Sequence, residues 1–136
     1  MSALIDAFFY GLYMDESVLA GVGVAARNGR EARADGVALK IGKRATLVKK
    51  PGSAAWGMVF ALSQAELDAL YGAPGLEVYR PEEIEVALLD GTKLKARVYN
   101  LAQPPAAGER NPDYAARLKD VLAELGFPAA YIAGIE

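Results

Sequence analysis

The chain predicts an α+β domain, on three observations. Short apolar strands broken by Gly, Pro and Asp turns recur along most of its length, six or seven in number. One helix with a full start signal interrupts them between Ser63 and Gly72. A second, amphipathic helix follows the last strand, after Asn111.

Taken in order, Leu4 to Tyr10 is apolar at every position but Asp6, the pattern of a strand buried on both faces. Asp15 is placed to cap a short helical turn, Asp15 to Ala20. Gly21 to Asp35 mixes Gly, Ala, Asn and Arg without a period and reads as a loop. Gly36 to Ile41 and Ala45 to Val48 are short strands about a Gly42-Lys43 turn. Pro51-Gly52 breaks the chain before another apolar strand, Ala55 to Ala61.

Ser63-Gln64-Ala65-Glu66 has the spacing of a capping box, in which hydroxyl and carboxylate each satisfy the other's backbone N–H. Leu67, Leu70 and Tyr71 then share one helix face, and Gly72-Ala73-Pro74-Gly75 ends the helix. Ile84 to Leu89 and Thr92 to Tyr99 flank Asp90-Gly91, a two-residue hairpin signal. In the second of these strands Leu94, Ala96 and Val98 alternate with Lys93, Lys95 and Arg97, giving one buried and one wet face. Gln103 to Glu109 is a linker rich in Pro and Ala. Asn111 caps the last helix with Pro112 in its first position, and Leu118, Val121, Leu122 and Leu125 form its stripe up to Gly126.

At 136 residues the expectation is one domain, residues 1–136, burying roughly two thirds of its unfolded surface. No apolar run approaches the ~20 residues of a membrane span, and no basic, then apolar leader opens the chain, so a cytoplasmic protein without membrane attachment is expected. The absence of Cys removes disulfides, thiol nucleophiles and thiolate metal sites. The absence of His is the harder constraint: no imidazole base, Ser-His-Asp triad or His-bound metal exists here. Acid–base work must fall to carboxylates, Lys or Tyr, and no cofactor or metal is expected. A net charge of −2 argues against nucleic acid as a partner. The local basic group Lys40, Lys43, Arg44, Lys49 and Lys50 reads as a solvated strand edge, with an anion site as the alternative.

Phe8-Phe9-Tyr10-Gly11-Leu12-Tyr13-Met14 runs a strand straight into a glycine turn. Ala45–Val48 with Pro51-Gly52, Trp56–Ser63, Glu66–Gly72, Ala96–Tyr99 and the late Tyr131-Ile132 follow in order. This succession resembles the gamma-glutamylcyclotransferase-like family, whose loop signature reads roughly Tyr-Gly-Ser/Thr-x-Met. The resemblance covers nearly the whole chain. It implies a small, mostly antiparallel barrel of six or seven strands with a short capped helix and a C-terminal helix. A cavity would lie at the mouth formed by the Tyr-Gly loop.

The resemblance also implies a reaction. In the family a substrate's α-amino group attacks its own γ-carbonyl, closing 5-oxoproline and releasing an amine or amino acid. The loop holds the glutamyl end, and a Glu followed by Gly at the end of the short helix moves the protons. A partly buried carboxylate with a raised pKa suits that task. Here Tyr10, Gly11 and Met14 match the loop, while Leu12 stands in place of Ser or Thr and Tyr13 at the variable position. Tyr71-Gly72 stands in place of Glu-Gly. A phenol is only about 0.1% ionised at pH 7, a deficit on the order of 4 kcal/mol against an ionised base.

Glu82 or Glu83 is the nearest replacement, if strand alternation turns one inward; Asp68 and Glu77 read as solvated charges. Tyr79, Tyr99 and Tyr131 are further lining residues or core aromatics. Two readings stand. One is a binding module for a small gamma-glutamyl or carboxylate ligand, monomeric or weakly dimeric. The other is an active cyclotransferase with a relocated carboxylate.

Overall fold

A computed structural model describes residues 4–72, 76, 78–106 and 108–135. Five strands close into a barrel in the order β1-β3-β2-β4-β5: β1 Leu4–Phe9, β2 Arg27–Ile41, β3 Ala45–Ser63, β4 Tyr79–Leu88 and β5 Lys93–Leu101. Four of the five pairings are antiparallel, and β1 closes on β5 in parallel at Ala7 and Arg97. Among the described residues four α-helices accompany them: α1 Glu16–Gly21, α2 Gln64–Tyr71, α3 Pro112–Glu124 and α4 Ala129–Ala133. The expected α+β barrel is present, with five strands in place of six or seven.

The difference lies in β2 and β3, each longer than the sequence pattern suggests. Residues 27–35, read above as loop, are strand paired with β3. Their inward positions are Ala32 and Ala34, fully buried, between Glu31, Arg33 and Asp35. The alternation is there, but Ala carries little apolar signal and low β-propensity. A barrel of five strands has room for little more, and Ala55 and Ala96 fill it in the same way.

Pro51-Gly52 does not end a strand either. Pairing runs to Asp35–Ala54, resumes at Val37–Lys49, and leaves residues 50–53 bulging opposite Gly36. Gly36 and Gly52 both take positive φ, +80° and +86°, which side chains resist. Pro51, without an N–H, sits where no ladder bond is needed. Beyond this bulge the β2–β3 hairpin continues for another five residues on each strand and folds over the end of the barrel.

The apolar stretch of residues 7–10 at the end of β1 serves two cores. Phe8 and Tyr10 join Ala32, Val59, Val86 and Val98 inside the barrel. Ala7 and Phe9 face out to a second layer with Leu67 and Leu70 of α2 and Leu118 and Leu122 of α3. The local helix signals are realised. Asp15 accepts from the Ser17 N–H, Ser63 and Glu66 form the reciprocal capping box, and Asn111 accepts from the Tyr114 N–H with Pro112 leading α3. No helix among the described residues is long and apolar enough to cross a membrane.

Candidate functional site

A cavity of about 250 Å³ opens at the barrel end where β1 gives way to the Gly11 loop. Leu12–Met14 is a single 3-10 turn, closed by Met14 N–H to the Gly11 carbonyl at 3.0 Å. Opposite it stands the end of α2: the Tyr13 and Tyr71 rings meet edge to face, centroids 6.4 Å apart. The Tyr-Gly loop and the helix end thus share one cavity.

Six of the seven tyrosines line it. Tyr71 lies flat on Tyr99, with centroids 3.8 Å apart and planes 13° apart, and leans on Tyr79 at 5.8 Å. The Tyr10 hydroxyl donates to the Tyr99 carbonyl at 2.6 Å, and the Tyr79 hydroxyl to the Ala45 carbonyl at 2.6 Å. Tyr114, from the first turn of α3, accepts the Leu12 N–H at 3.3 Å. A β-carbon on Gly11 would run into that same hydroxyl, so the glycine is needed for close approach. One N–H that the resemblance reserves for a ligand is therefore already bonded within the chain.

Burial pushes the Tyr10 and Tyr71 phenols well above their ordinary range, and neighbouring phenols, Tyr79 foremost, push them further. Burial likewise raises Tyr79, against the pull of the nearby Arg44 guanidinium, and Tyr114, against the bond from Leu12. At neutral pH these four stay protonated: each can give or accept a hydrogen bond, and none can serve as a general base.

Lys43 and Arg44, at the tip of the β2–β3 hairpin, complete the mouth. The sequence left them in a basic strand edge, and only the fold of the hairpin over the barrel end brings them here. Tyr114 was also missed, although it stands four residues before Leu118 and extends the α3 stripe by one turn. No carboxylate lines the cavity among the described residues.

Several expected site residues lie elsewhere. Glu82 and Glu83 are exposed and outside the lining: β4 leaves the cavity wall after its first residue, Tyr79, and Glu82 accepts from Asn100 Nδ2 at 2.6 Å on the barrel exterior. Met14 is wholly buried in the outer core, since the 3-10 turn rotates it away from the mouth. Gly72 is an exposed helix cap whose N–H is spent on the Asp68 carbonyl. Asp68 is exposed and accepts from Gln64. Tyr131, on α4, borders a separate groove beside Leu39 and Ile41. Glu77 lies outside the described residues, as do Ala73, Pro74 and Gly75. No group of three or more acidic metal ligands occurs among the described residues.

A family profile described as "Gamma-glutamyl cyclotransferase, AIG2-like" matches residues 7–117, which span β1 to the first half of α3. No curated protein matches the chain. Among solved structures, one titled "Gamma-glutamyl cyclotransferase" superposes with a TM-score of 0.84 at 23% identity, over 98% of this chain and 88% of its own. An uncharacterized protein from Homo sapiens gives a TM-score of 0.84 at 22% identity, over 98% and 89%. The protein YkqA from Bacillus subtilis gives 0.79 at 20% identity, over 97% of this chain and 55% of its own. At these identities the structural likeness speaks for the fold.

Proposed function

The chain belongs to the gamma-glutamyl cyclotransferase, AIG2-like family, and from the contents of its cavity we propose that it binds a small molecule there without the proton-transfer group of the family's reaction. The observation that carries this reading is Tyr71. It stands where the family's Glu is expected and is built into a stacked aromatic wall with Tyr99. Cyclisation needs a base for the substrate ammonium and an acid for the leaving nitrogen. Tyr71 could supply only the second, since burial holds its proton on. Leu12 in place of Ser or Thr removes a hydroxyl from the loop, and the bond from its N–H to Tyr114 removes a free backbone donor.

The alternative, a cyclotransferase with a displaced carboxylate, draws no support from Glu82 or Glu83, both exposed outside the lining. One assay separates the two. The purified protein is expected to release little or no 5-oxoproline from gamma-glutamyl amines and peptides. Tyr71→Glu is expected to raise that rate by about 10²–10⁴-fold, the usual contribution of a placed general acid–base. Robust wild-type turnover that survives Tyr71→Phe and collapses on Glu77→Gln, Glu82→Gln or Glu83→Gln would overturn the binding-only reading and locate the working carboxylate.

A further inference from the structure

The mouth of the cavity carries a fixed positive charge of a particular kind. Arg44 is half-buried on the hairpin tip, and the next residue, Ala45, is held against the barrel by the Tyr79 hydroxyl. Two residues further on, the Leu47 N–H reaches Asn100 Oδ1 at 3.2 Å. The tip is therefore pinned, and Arg44 with it. The ion pairs among the described residues are Arg27–Glu66, Arg30–Asp6, Arg33–Asp35 and Lys93–Glu85; Arg44 is in none of them. Its charge reaches into the cavity, where it acts on the Tyr79 phenol.

The Glu109 carboxylate lies on the Lys43 side of the tip, where it accepts from the Lys43 N–H at 3.4 Å. A half-buried guanidinium in none of the ion pairs among the described residues favours an anion, and its planar fork fits a carboxylate through two parallel bonds. Behind it the walls are flat: Tyr13, the Tyr71–Tyr99 stack and Phe9 offer ring surface suited to an apolar or aromatic body. The volume is below the usual range for drug-sized ligands, which limits the occupant to on the order of ten non-hydrogen atoms. A gamma-glutamyl substrate can offer its α-carboxylate to Arg44, but the ammonium on the same carbon then lies beside Arg44 and Lys43 and meets no opposite charge among the described lining residues.

Building on the binding reading above, we propose that this cavity selects small acids bearing one carboxylate and an apolar or aromatic body, anchored by Arg44, over zwitterionic gamma-glutamyl compounds. Titration calorimetry with phenylpropionate, phenylpropylamine and phenylpropanol, which share one body and differ in charge, tests this beside a gamma-glutamyl alkylamine. Phenylpropionate should bind about 10- to 100-fold more tightly than the alcohol, the range of a charge-assisted contact. The amine and the gamma-glutamyl compound should bind more weakly still. Arg44→Gln should weaken the acid about 10- to 100-fold more than the alcohol, so that the preference for the acid is lost.

An amine that matches or exceeds the acid would make the tyrosines a cation cage. That result would overturn the acid proposal and leave the binding reading standing, as would a gamma-glutamyl compound that outcompetes the acid. An acid affinity untouched by Arg44→Gln would overturn the anchor. If none of the four probes binds, the binding reading falls together with the proposal.

Discussion

A β-carbon added at Gly11 would collide with the Tyr114 hydroxyl, the same atom that accepts the Leu12 N–H. Gly11→Ala is therefore expected to destabilise the fold by about 1–3 kcal/mol, the usual penalty for overpacking. Tyr114→Phe alone should cost about 1 kcal/mol, one hydrogen bond. The double variant should lose less than the sum, because removing the hydroxyl makes room for the methyl. Urea unfolding of the four proteins measures the coupling, and strict additivity would show that the two residues do not compete for one space. The Tyr-Gly step was visible in the sequence. Its reason was not, since the contact that demands a glycine comes from a residue about a hundred positions away. Arg44 is the same case in reverse: its charge was legible, and its place at the cavity was not.

Elements whose signals are local were read correctly from the chain, and α2 and α3 are the clearest. Ser63 and Glu66 cap α2 between themselves, and no distant residue is required for the pattern. What the sequence did not show is that Glu66 also binds Arg27 at 2.7 Å, tying the start of β2 to the helix. The Arg27 guanidinium, and then the Ser63 N–H, hold the Glu66 carboxyl down at about 2, below its ordinary 4.5. A carboxyl depressed on folding contributes stability above its unfolded pKa and loses it as pH falls through the folded one. Thermal melts of the wild type and Glu66→Gln should thus differ at neutral pH, converge below about 4.5 and meet near 2. A difference that stays constant over that range would mean the charge of Glu66 contributes nothing. On α3, Leu122 is completely buried against the outer core. Leu122→Ala should cost about 2–5 kcal/mol, and an unchanged melt would show that the stripe is not packed.

At the scale of the whole molecule, alternation and turns showed that strands were present, and large side chains decided which ones could be seen. β5 was legible because Leu94 and Val98 flank Ala96, whereas the Ala-lined half of β2 was mistaken for loop. Closure itself, β1 against β5 in parallel, leaves no mark in either strand's sequence. Nor does the hairpin that folds over the barrel end, although it shapes the cavity. Its attachment combines the buried Ala45 and Leu47 with specific polar contacts: Asn100 accepts from Leu47 N–H, and the buried Thr46 hydroxyl accepts from Leu101 N–H at 2.9 Å. Hydrogen bonds of this kind hold position more than they add stability, each worth about 1 kcal/mol net. The tip is therefore expected to open as a unit without the barrel. Asn100→Ala, which leaves the Leu47 N–H without its acceptor, should speed amide exchange across residues 37–49 and leave β1 and residues 55–62 of β3 protected. It should also weaken binding of an acid at Arg44, since the tip that carries the guanidinium would no longer be pinned. Exchange that rises equally through β1 would show that hairpin and barrel are one cooperative unit, with the cavity mouth as rigid as the core.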